Sequence, residues 1–78
     1  MKELVEFIVK SLVDSPDQVD VQEFDERSTT IVEVSVAQPD MGRVIGKGGR
    51  VANAMRVLLR VAAAHEGKQV TLHVVEPE

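Results

Sequence analysis

The chain has 78 residues, 44% of them hydrophobic and 28% charged, with a formal net charge of -4. That length allows one domain at most, and the balance of apolar and charged residues describes a folded chain rather than a disordered one. With no cysteine and only two histidines, His65 and His73, a disulfide framework and a protein-closed metal centre are excluded, and the longest apolar run, Val61-Ala62-Ala63-Ala64, is too short for a membrane span or a signal-peptide core. The expectation is a cytoplasmic protein with no membrane partner, no metal and no cofactor.

Residues 2–13 read as a helix: Leu4, Ile8 and Leu12 recur every four positions, and Val5, Phe7 and Val9 widen the apolar face. Ser15-Pro16 stops it. Val19, Val21 and Phe24 suggest a strand whose alternation slips by one between Val21 and Phe24, which predicts a bulge or register change there. The acidic turn Asp25-Glu26-Arg27-Ser28 leads to a β-branched strand over residues 29–37, with Val32, Val34 and Val36 on one face and Ile31, Glu33 and Ser35 on the other. Gln38-Pro39-Asp40 breaks that strand, and Asp40 is a suitable N-cap for a short helix over residues 41–45. Gly46-Lys47-Gly48-Gly49 separates it from a longer helix over residues 50–65, for which Gly67 is the natural C′ residue. Val70, Leu72 and Val74 alternate with Thr71, His73 and Val75 in a last strand ended by Pro77. The pattern is α+β, in the order α-β-β-α-α-β, without internal repeat or linker.

Charge divides the chain. Residues 1–40 hold three basic residues against ten acidic ones, whereas residues 41–65 hold Arg43, Lys47, Arg50, Arg56 and Arg60 and no acidic residue. The first part should repel phosphate and the second attract it. Arg56 and Arg60 equally suit the solvated face of a helix, and Arg60 its C-terminal dipole; Lys47, in a turn, has no helix face to solvate.

Three glycines in four residues need a reason, since each costs about 1 kcal/mol relative to Ala inside a helix. The backbone there must take φ > 0 or approach something closely. A P-loop is excluded because Gly42 and Gly46 enclose only three residues and Gly48, not Ser or Thr, follows Lys47. A dinucleotide fingerprint is excluded because Val51 stands where its third glycine belongs and the turn does not follow a strand. What remains is helix, Gly-x-x-Gly, helix. This can hold a phosphodiester backbone on the amide donors and positive end of the second helix, or can serve only as a tight corner.

The run Val44-Ile45-Gly46-Lys47-Gly48-Gly49-Arg50-Val51 resembles the core signature of the KH domain, whose Gly-x-x-Gly loop clamps about four nucleotides of single-stranded nucleic acid. A helix and two strands before the motif, with one strand after it, look like the type II order. The resemblance covers residues 1–78 and implies a three-stranded sheet with helices packed on one face. Leu12 to Val21 (LVDSPDQVDV), with Asp40-Met41-Gly42, looks more narrowly like the small stand-alone bacterial KH proteins of the KhpA (YlqC) family. That resemblance implies RNA binding and RNA chaperoning or post-transcriptional regulation, as a homodimer or with a KhpB (Jag)-like partner, tied to cell shape and cell-wall synthesis. It carries RNA binding onto Arg43, Val44, Ile45, Gly46, Lys47, Gly48, Gly49 and Arg50. The residues agree on one point: Phe7 and Phe24, the two aromatics, both lie outside the basic segment, so bases would meet an aliphatic groove flanked by Val44, Ile45 and Val51 while Lys47 and Arg50 meet phosphate. Ile45 and Val51 equally suit plain core positions. Single-stranded DNA stays open as a ligand, because only contacts to the 2′-OH tell the two apart.

Catalysis is not expected, since residues 41–64 contain no Asp, Glu, Ser, Thr, Tyr or Cys, and each histidine suits a local position at a helix end or on a strand. A protein-interaction module with little RNA affinity is the alternative class. The long helix supports association: its apolar residues, Val51 and Met55 through Val57 to Val61, fill an arc of about 200° at 100° per residue, twice what one sheet face needs. The excess, centred on Val57, Val61 and Ala64, predicts a homodimer interface unless the first helix covers that flank.

Overall fold

The structure, a computed structural model, describes residues 1–76. Its elements are α1 (Lys2–Leu12), β1 (Asp20–Glu26), β2 (Thr29–Ser35), α2 (Met41–Ile45), α3 (Arg50–His65) and β3 (Gln69–Val75). One-turn 3-10 segments at Pro16–Gln18, Gln38–Asp40 and Lys47–Gly49 join them. Pro77, expected to end the last strand, lies outside the described residues.

The sheet has the order β1-β2-β3, with β1 antiparallel and β3 parallel to β2. A parallel return needs a crossover, and α2 and α3 supply it. Val32 and Val34 of β2 face Val21 of β1 and Leu72 of β3 across one side of the sheet, where Val5 and Val9 of α1, Val44 of α2, and Met55 and Leu59 of α3 close a single buried cluster. The helices therefore share one face. The other carries the cross-strand rows Phe24, Ile31, Thr71 and Gln22, Glu33, His73.

Two local expectations are corrected. No bulge interrupts β1, which pairs residue for residue with β2 from Asp20 opposite Ser35 to Glu26 opposite Thr29. The slip in the pattern arises because Glu23 takes the inner-face position after Val21, while Phe24 lies opposite Ile31 on the open face, half exposed. Glu23 is not wasted there: its Oε1 accepts the Lys2 N–H at 3.0 Å, satisfying one of the amides that the first turn of α1 leaves without a helical partner. Asp40 is also not a side-chain cap of α2. Only 2% exposed, its carboxylate turns away from that helix and accepts the N–H groups of Asp14 and Ser15, both at 3.1 Å. It thereby pins the chain leaving α1 against the entrance to α2. The end of α3 follows expectation. Gly67, at φ +68°, donates to the Ala64 carbonyl and Lys68 to that of Ala63, closing the helix in a Schellman turn.

Candidate nucleic-acid interface

The loop between α2 and α3 is built on left-handed glycines. Gly46 has φ +79°, Gly48 +65° and Gly49 +80°. At Gly46 the requirement is also steric, because a Cβ there would stand 2.5 Å from Val51 Cγ2 and 2.7 Å from the Val51 nitrogen. Gly48 has open space around it, so its side is free for a ligand to approach. Gly49 caps α3 without a side chain, leaving the positive end of a 16-residue helix to face the loop. Lys47 and Arg50 are exposed on either side of Gly48 and Gly49, and among the described residues neither forms an ion pair.

The other candidate residues separate. Ile45 is partly exposed beside the loop. Val44 is fully buried in the core cluster, which corrects its expected role as an apolar contact for bases: its phase on α2 points at the sheet. Val51 is half-buried, one side packed on the core. Arg43 is held by carboxylates, with Nη2 3.0 Å from Asp14 Oδ2 and Nε 3.8 Å from Asp40 Oδ1, so it braces the same junction as Asp40.

Beyond the loop, a groove runs between α3 and the free edge of β3. Arg56, Leu59, Arg60, Val70, Thr71 and Leu72 line it, and it continues past Arg60 to Lys68 and Gln69. Half-buried Val70 lies at its floor with Leu59 and Leu72 almost fully buried beneath, and its rim is cationic. Arg56 does not extend into solvent. Its Nε and Nη2 donate to the Leu72 carbonyl at 3.3 and 3.2 Å, and its Nη1 to Asn53 Oδ1 at 2.9 Å. Sequence reasoning left Arg56 and Arg60 between a solvated face and a phosphate contact and overlooked β3 as the opposite wall. The signal available was the three-residue spacing of Asn53 and Arg56, which places both on one side of α3.

The remaining face of α3 is apolar and uncovered. Val57 and Leu58 are each 54% exposed and Val61 57%, with Ala64 exposed one turn further on. The first helix does not shield them, since α1 packs on β1 and α2. Leu58 belongs with the residues expected there from the sequence.

A cation-rimmed groove on the same helix that a left-handed glycine loop begins suits a single-stranded polyanion whose backbone meets the loop and whose bases enter further along α3. Comparison with known proteins agrees. The chain is 48% identical over 75 residues to the RNA-binding protein KhpA of Clostridium acetobutylicum, covering 96% of this chain and 100% of that one. It is 45% identical to the KhpA of Borreliella burgdorferi, over 95% and 90% of the two chains, and 43% identical to that of Chlamydia pneumoniae, over 97% of each. Residues 2–74 match the family described as KhpA/KhpB, KH domain, and with the glycine loop and the α-β-β-α-α-β order in place the chain belongs to that family.

Proposed function

We propose that the protein binds single-stranded RNA, with the phosphates on the loop of Gly46, Lys47, Gly48, Gly49 and Arg50 and the bases in the groove between α3 and β3. The observation that carries this reading is the placement of two cations, Lys47 and Arg50, unpaired among the described residues, beside left-handed glycines at the start of α3. No acidic side chain occurs between residues 41 and 65 to oppose a phosphate there. The names of the relatives, RNA-binding proteins all, support RNA as the ligand. Within the same reading the working form is a cytoplasmic homodimer joined through Val57, Leu58, Val61 and Ala64. The exposed apolar face of α3 supports this, and the family resemblance, which implies a homodimer or work with a KhpB (Jag)-like partner, makes such a chain the other candidate for that face. The family resemblance extends the proposal to RNA chaperoning linked to cell shape and cell-wall synthesis.

The test is titration of a short single-stranded RNA with the wild type and with Lys47→Asp/Gly48→Asp. Asp is among the side chains that best tolerate left-handed backbone, and Gly48 has room for it, so the fold should survive. Two carboxylates at the phosphate positions should lower affinity by about 100-fold or more. A folded double variant that binds like the wild type rejects the loop as the site. A wild type that binds no RNA in the high-micromolar range rejects the function, and equal binding of the DNA oligomer of the same sequence rejects selectivity for RNA.

A further inference from the structure

The groove's most specific feature is the hydrogen bonding at the free edge of β3. An uncovered strand edge offers a base both a donor and an acceptor, because the N–H and C=O of one extended residue point to the same side. At Leu72 the acceptor is already taken: Arg56 Nε and Nη2 both donate to its carbonyl, and Asn53 Oδ1 holds Nη1 so that the guanidinium lies along the edge. What faces the groove at this point is therefore donor beside donor, the Leu72 N–H and the outer N–H groups of a planar guanidinium.

Resting on the RNA-binding reading above, we infer that Arg56 is a specificity-determining residue that selects, at this position, a base with two neighbouring acceptors, guanine through O6 and N7 or cytosine through N3 and O2, and disfavours adenine. Adenine places its N6 amino donor next to both N1 and N7, so either edge would set donor against donor. An unlatched edge would do the opposite, since a free Leu72 carbonyl accepts an adenine amino group while the N–H meets the ring nitrogen. Arg56 thus acts by what it covers as much as by what it offers. Leu59 and Leu72 are almost fully buried beneath the groove and leave little apolar surface for a base, so these hydrogen bonds are the discriminating contacts.

The experiment compares octacytidine, octaadenosine and an octaadenosine carrying one central guanosine, titrated against wild type, Arg56→Ala and Arg56→Lys at fixed salt. Wild type should bind the cytidine and guanosine oligomers at least about fivefold more tightly than octaadenosine. Arg56→Lys keeps the positive charge and the stem but loses the planar fork, so its preference should fall below about twofold with overall affinity largely kept. Arg56→Ala should gain relative affinity for octaadenosine. The Arg56 Nε–H resonance of wild type should shift on adding octacytidine. Equal binding of all three oligomers by the wild type, an unchanged preference in Arg56→Lys, or an unmoved Nε–H resonance overturns the inference while leaving RNA binding intact. Binding of none of them overturns RNA binding and the inference together.

Discussion

The two sides of α3 share one helix and differ in almost everything else. Toward β3 it presents Asn53, Arg56 and Arg60, and Arg56 is folded down onto a strand edge by two hydrogen bonds to the Leu72 carbonyl, with a third to Asn53 on its own helix. Away from the sheet it presents Val57, Leu58, Val61 and Ala64, more than half exposed at the three larger positions and without a covering element among the described residues. Under the proposed function, that difference separates two tasks on one helix. A charged groove needs an opposite wall to orient its donors, which β3 supplies, whereas an apolar face needs only area, which a second helix can supply.

The sharpest break of this comparison is Val57→Glu with Val61→Glu. Two carboxylates on the apolar side should weaken self-association by about 4 kcal/mol or more, since each must be desolvated without a partner. Sedimentation should show a wild-type dimer and a folded monomeric variant, with the groove of each protomer unaltered. A wild type that is monomeric at tens of micromolar, or a variant that remains dimeric, removes the assignment of that face.

A smaller loss should follow Gly46→Ala, which acts at the loop end of the helix alone. The Cβ overlaps the Val51 backbone nitrogen and φ +79° is costly for alanine, so thermal or urea unfolding should register about 2–4 kcal/mol of destabilisation. Next in size is the salt response of RNA binding. With Arg43 tied to Asp14 and Asp40, the loop and groove cations can neutralise only a few phosphates, and log K should fall with log salt with a slope of about 1.5 to 3. A steeper slope would mean that cations from two protomers meet one RNA, joining the two sides of α3 in one event. The smallest effect separates the glycines from one another: Gly42, inside α2 with nothing near it, should become alanine with a gain of about 0.5–1 kcal/mol in unfolding free energy and unchanged RNA affinity.

Much of this molecule is legible in its residues. The apolar periodicity of α1, the alternation of Val32, Val34 and Val36, and the crowding of glycines between residues 46 and 49 depend on periodicity and backbone sterics, which act over a few neighbours, although α1 buries Val5 and Val9 and leaves Leu4, Phe7 and Leu12 of the expected stripe exposed. The excess apolar arc of α3 was visible for the same reason. That α1 leaves it uncovered was not, because a helix's apolar stripe does not say which neighbour it will meet.

Polar side chains with long-range partners were decided only by the tertiary structure. Asp40 stands where a cap belongs, yet its carboxylate serves amides 25 and 26 residues away. Glu23 breaks the alternation of β1 but is a partner for the first turn of α1. Arg56 reaches a carbonyl 16 residues further on, across a groove that exists only once β3 lies parallel to β2. Periodicity determined the elements and the glycine loop because those are settled by local geometry. The direction in which a buried carboxylate or guanidinium turns is settled by whichever unpaired backbone group the fold brings within about 3 Å, and sequence spacing carries no record of that distance.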